Sequence, residues 1–135
     1  MSKLYDAYAT SKDAEANGIW VSEPGGRFKL ARMGGANTKY QRALTAAMKP
    51  YMREMQLGLL DEATVEPIMR KVFLDTILLD WEIEADDDGT PGPAFNVDNA
   101  TKLFADLPDL YAALREKAGS YANYRAASIQ DAAKN

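Results

Sequence analysis

The spacing of apolar residues changes along the chain, from an alternation of two near the N-terminus to a recurrence every three or four residues beyond it. In "GIWVSEPGGRFKLARMGG", Ile19 and Val21 fall on one side of an extended segment and Trp20 on the other. Phe28 and Leu30 alternate with Arg27 and Lys29 in the same way. A period of two is that of a strand with one covered face. Between the runs, Pro24 presets φ at the second position of a turn, and Gly25 accepts the positive φ of a type II turn. The segment predicts a β-hairpin, closed by Gly34-Gly35.

From residue 37 the period becomes helical. Asn37 or Thr38 can cap a helix carrying Tyr40, Leu44, Met48, Tyr51 and Met55. Pro50 interrupts it, which predicts a kink or two helices, and Gly58 ends the run. Val65, Ile68, Met69, Val72, Phe73, Thr76, Ile77 and Leu79 then trace one broad apolar face of a helix ending at Trp81-Glu82, with Thr64 as its N-cap, Pro67 in its first turn, and Asp75 and Asp80 towards solvent. After an acidic loop, Asn96 can cap a helix bearing Val97, Ala100, Leu103, Phe104 and Leu107, with Phe95 stapled onto Ala100. Pro108 marks a break or fresh start before Leu110, Tyr111, Leu114, Ala118 and Tyr121.

These segments predict an α+β fold, mainly α: one N-terminal β-hairpin packed against a bundle of three to five helices. Residues 1–16 are expected to be flexible or short helical, residues 17–125 to form a single α+β domain, and residues 126–135 to be a fraying tail. A chain of 135 residues suits one domain with a real core.

Composition narrows the chemistry. Cysteine and histidine are both absent. That excludes disulfides, thiolate nucleophiles and cysteine-based metal centres, and removes the usual neutral-pH proton carrier. The formal charge of −4 argues against non-specific nucleic-acid binding. One basic strip, Arg27, Lys29, Arg32, Lys39 and Arg42, interleaves with Trp20, Phe28 and Tyr40 and is the arrangement nearest to a nucleic-acid or acidic-partner site. The N-terminus has no apolar stretch that could serve as a signal-peptide core, and no window approaches a membrane span, so a cytosolic protein is expected.

The acids of "EIEADDDGTPGPAF" invite a metal reading, which the spacing opposes. With Glu84, Asp86 and Asp88 at positions 1, 3 and 5 of a calcium loop, Gly89 falls at 6, but Phe95 stands at 12 where a bidentate Glu is needed. A solvated Asp-Gly turn is the expectation. Nothing selects a catalytic carboxylate from Asp75, Asp80, Glu82 and Glu84, so no enzyme, metal or cofactor is expected. Met48, Met52, Met55 and Met69 cluster around Pro50; such residues fill cores or form adaptable apolar surfaces.

The order of these segments resembles that of the tail assembly chaperones of long-tailed bacteriophages. The likeness runs from about Gly18 to Tyr124. Its most specific parts are the aliphatic segment ending at Trp81-Glu82, the loop ending at Phe95, and Asn99-Ala100 leading to Leu103 and Leu107-Pro108-Asp109-Leu110. The resemblance implies a non-catalytic protein of the host bacterial cytoplasm that binds the tape measure protein and helps recruit tail tube protein, with homo-oligomerisation left open. The alternative is a structural minor tail or head–tail connector protein of the virion. Trp20, Tyr51, Met52 and Met55 are the partner-binding candidates, chosen on physical grounds alone.

Overall fold

The computed structural model describes residues 2–129. Two short helices come first, α1 (Lys3–Tyr8) and α2 (Lys12–Asn17). Each begins at a serine whose hydroxyl accepts a backbone N–H: Ser2 from Tyr5, Ser11 from Ala14. Strands β1 (Ile19–Glu23) and β2 (Gly26–Leu30) form the expected antiparallel hairpin, with Gly25 at φ 92° in its turn.

The next helical run is divided as Pro50 requires. Helix α3 (Thr38–Met48) passes through a 3₁₀ turn (Lys49–Tyr51) into the short α4 (Met52–Gln56). Asn37 holds the N-cap position but makes no cap bond. Its buried amide instead donates to the carbonyls of Arg32 (2.9 Å) and Thr76 (3.3 Å), so it ties α3 to the end of the following helix. That helix, α5 (Glu62–Thr76), is capped by Asp61 and not by Thr64: Asp61 Oδ1 accepts Thr64 N at 2.9 Å. Pro67 therefore lies inside α5 rather than in its first turn, on an exposed side where solvent can serve the carbonyl of Ala63.

The helix expected to run on to Trp81 stops at Thr76, and Leu78–Ile83 forms a third strand, β3. The sheet order is β1-β2-β3, with both pairings antiparallel. The physical cause lies in a β-bulge. Leu30 pairs with Leu78 while Lys29 pairs with Asp80, so Leu79 is an extra residue that breaks the alternation. Without that insertion Leu78, Asp80, Trp81 and Glu82 would have displayed a period of two. Phe28 and Trp81 are opposite one another on the covered face, and Arg27 and Glu82 on the open face.

Beyond β3 the chain turns at Asp86–Thr90, where Gly89 has φ 87° and Asp88 Oδ1 accepts Thr90 N at 2.9 Å. The loop then folds back over the sheet: Trp81 Nε1 donates to Pro93 O (2.8 Å) and Phe95 meets the Trp81 ring edge-on. Phe95 thus packs on Trp81, fourteen residues earlier in the chain. Asn96 caps α6 (Val97–Asp106) as its position requires, accepting from Asn99 N. Pro108 is the first residue of α7 (Pro108–Gly119). The helical period does not continue to Tyr121, which begins a second 3₁₀ turn (Tyr121–Tyr124) and stacks on Tyr8.

The core lies between the covered face of the sheet and the helices. Phe73 of α5 is enclosed by Phe104 (6.0 Å) and Tyr111 (5.3 Å), in a buried cluster that also includes Leu30, Ile77, Leu114 and Ala118. Tyr124 is fully buried and donates its hydroxyl to Leu30 O at 2.9 Å. Its burial pushes the phenol pKa up. The mainly helical α+β class is as read from the sequence; the sheet has one strand more than the hairpin. Residues 1–16 hold α1 and most of α2, and Thr10 forms a bridge to Arg125. Of the expected tail, Ala126 N donates to Ala9 O, and residues 130–135 lie outside the described residues.

Candidate functional site

The carboxylates considered for chemistry are all at the surface. Asp75 pairs with Lys71 (3.1 Å), Asp80 accepts the adjacent Trp81 N, and Glu84 is exposed. Glu82 receives two bonds from the Arg27 guanidinium, at 2.6 and 2.8 Å. Those bonds hold the Glu82 carboxyl below its ordinary value of 4.5. A lowered carboxylate pKa stabilises the fold at neutral pH, and the contribution is lost as pH falls through the lowered value. Arg27→Ala should therefore return the Glu82 titration to the ordinary range, read by carbon-13 NMR of its carboxyl. A titration unmoved by the substitution would mean that the pair is not formed in solution. Among the described residues, no group of three or more acids is arranged to hold a metal ion.

Among the described residues Glu15 is the buried carboxylate, at 2% exposure, and no sequence pattern marks it. It forms an ion pair with Arg32 and accepts from Thr10 Oγ1. Gly35, at φ 56°, lets the backbone approach this carboxylate, and a Cβ there would collide with it. The Arg32 and Gly35 contacts clasp α2 to the loop after β2, and the Thr10 bond ties the carboxylate to the residues just before α2. Gly34-Gly35 thus serves the turn through its positive φ angles, and Gly35 also gives the clearance this contact needs.

The four partner-binding candidates separate into two surfaces. Trp20 is on the outward face of β1, 36% exposed, with the Arg27 guanidinium 4.3 Å above its ring. Tyr51, Met52 and Met55 belong to one segment. Tyr51 is half-buried in the 3₁₀ turn, while Met52 and Met55 are 52% and 50% exposed on α4. The same segment continues with Leu57 and Leu59, exposed by 61% and 71%, which are not among the residues expected from the sequence. Their signal is "LGLL", four apolar or small residues at and beyond the end of α4, of which only Leu60 is half-buried. Single exposed apolar residues are ordinary, but four large ones within eight positions make this segment unusually rich in exposed apolar surface, of the kind that contacts other molecules.

Tyr51 also connects this patch to a groove of about 460 Å³ between α3 and α5. Ala43, Ala47 and Tyr51 line one wall, and Pro67, Ile68 and Val72 the other. Small residues on α3 leave it open enough to receive side chains from a helix laid along it. Among the described residues no helix is long and apolar enough to cross a membrane. The anticipated basic strip is broken up by pairing, since Arg27 binds Glu82 and Arg32 binds Glu15.

A protein-family model described as YdaY prophage protein matches residues 35–135, about three quarters of the chain. The matched part contains α3 to α7, β3 and the whole exposed segment, and leaves out the hairpin. No curated protein and no solved structure matches the chain.

Proposed function

The chain belongs to the YdaY prophage protein family, and from that premise we propose that it is a non-catalytic tail assembly chaperone, acting in the host cytoplasm on the tape measure protein and assisting assembly of tail tube protein around it. The observation that carries this reading is the exposed apolar run Met52, Met55, Leu57 and Leu59 beside the α3–α5 groove. A long helical partner with apolar stripes needs a surface that covers those stripes and later releases them. Methionine suits such a surface because its unbranched thioether adapts to varied neighbours. Modest affinity per contact favours release, since much of the interaction offsets the entropy of ordering both partners. The prophage family, the lack of histidine and cysteine, and a buried carboxylate committed to an arginine all agree with a protein that works through its surface.

Co-expression provides the test. The tape measure protein, insoluble alone, should stay in the soluble fraction when this chain accompanies it, and the chain should be missing from purified particles. A tape measure protein that precipitates regardless would sink the proposal. Stoichiometric copies in finished particles would support a structural minor tail or connector protein instead.

A further inference from the structure

The helical run beside the groove carries a cationic stripe that the rest of the molecule does not neutralise. Lys39, Arg42, Ala46, Lys49 and Arg53 follow one another at steps of three, four, three and four residues. That spacing keeps them along one side of the run formed by α3, the 3₁₀ turn and α4. All four cations are exposed, and none has a carboxylate within ion-pair distance among the described residues. Between residues 37 and 60 they face a single acid, Glu54, in a chain whose formal charge is −4. The remaining charge is therefore strongly acidic, and the positive charge is gathered where the apolar residues are exposed. Ala46, in the middle of the stripe, also lines the groove. Met52 and Met55, the next exposed apolar residues, follow Lys49 in the chain and flank Arg53 in sequence.

Resting on the proposed helix-binding role of this surface, we propose that its occupant is an amphipathic α-helix of another protein whose apolar edge is flanked by Asp or Glu side chains at heptad spacing. Charge complementarity selects that chemistry. The stripe from Lys39 to Arg53 spans fourteen steps of about 1.5 Å, roughly 21 Å or four helical turns. A partner helix of that length places its apolar residues in the groove and its carboxylates against the four cations. Opposite charges of this kind raise the encounter rate and fix orientation, while like charges along the same edge repel. Duplex nucleic acid is the other polyanion that could meet such a stripe. The mainly apolar groove beside it, whose two charged lining residues Lys71 and Asp75 pair with each other, and the acidic remainder of the surface favour a protein helix.

The test uses the full chain and two synthetic helical peptides with one apolar face, one flanked by Glu and the other by Lys. Fluorescence anisotropy should show the Glu peptide binding at least about tenfold more tightly in low salt, with the preference shrinking towards unity near 1 M salt, where the Debye length is about 3 Å. Lys49→Glu with Arg53→Glu should remove the preference. Lys3→Glu with Lys12→Glu, an equal charge change at two exposed positions elsewhere, should leave most of it. Equal binding of both peptides, binding of neither, or tighter binding of a duplex oligonucleotide than of the Glu peptide overturns the inference. Because the peptides are independent of the tape measure protein, the two readings fail separately. A soluble tape measure complex without Glu preference ends this inference alone, and Glu preference without tape measure binding ends the proposed function alone.

Discussion

Phe73→Ala is expected to destabilise the fold by about 3–5 kcal/mol, lowering the midpoint of thermal unfolding by roughly 10–20 °C in a domain of this size. Phe73 is almost wholly buried and meets Phe104 and Tyr111 edge-on, so its removal deletes contacts with α6 and α7 together. The ring would leave a cavity walled on two sides by the Phe104 and Tyr111 rings, which cannot close in without losing their own packing. Domains are stable by only about 5–15 kcal/mol, so this one substitution removes a large share. Circular dichroism during heating measures it. A loss below about 1 kcal/mol would mean that the core is not centred on α5 as described.

The second large effect is at the clasp between α2 and the loop after β2. Glu15→Ala is expected to cost about 2–4 kcal/mol, because it leaves the guanidinium of Arg32, four-fifths buried, without its counter-charge. The lower part of the range for broken buried pairs applies since Arg32 retains some access to water. Loss of the Thr10 bond adds to it. Replacing both partners, Glu15→Leu with Arg32→Leu, should cost less than Glu15→Ala alone, since no charge is left unpaired. Hydrogen exchange should also show faster opening of α2 in the single variant, ahead of global unfolding. If the double substitution is the more harmful, the pair contributes through attraction rather than through the penalty for breaking it.

What could be read from the sequence was local. The Pro24-Gly25 turn, the break at Pro50, the Asn96 cap and the fresh start at Pro108 are each set by one or two residues whose backbone preferences are strong. The helix-to-strand change at Ile77 was hidden because the bulge at Leu79 imitates helical spacing, and because β3 exists only by pairing with β2, almost fifty residues earlier. Glu15 and Arg32 are seventeen positions apart, and nothing near either one signals the other. The surface was partly legible. Tyr51, Met52 and Met55 stood out by their chemistry, whereas Leu57 and Leu59 were obscured by lying past the helix end. The cations were grouped by nearness in sequence, which joined Arg27, Lys29 and Arg32 to Lys39 and Arg42. In the fold Arg27 and Arg32 are paired with acids, and the open stripe instead continues through Lys49 and Arg53.

On the proposed function, the segment from Tyr51 to Leu59 holds a helical partner. The most direct measurement of this is the amount of tape measure protein retained by the tagged chain after co-expression, compared between the natural sequence and Met52→Asp with Leu59→Asp. Both substituted residues are exposed, so the unfolding temperature should hardly change. Retention should be strong for the natural chain and fall at least about tenfold for the variant, as expected when charge enters the centre of an apolar contact. Equal retention by the two, with both folded, would contradict the claim.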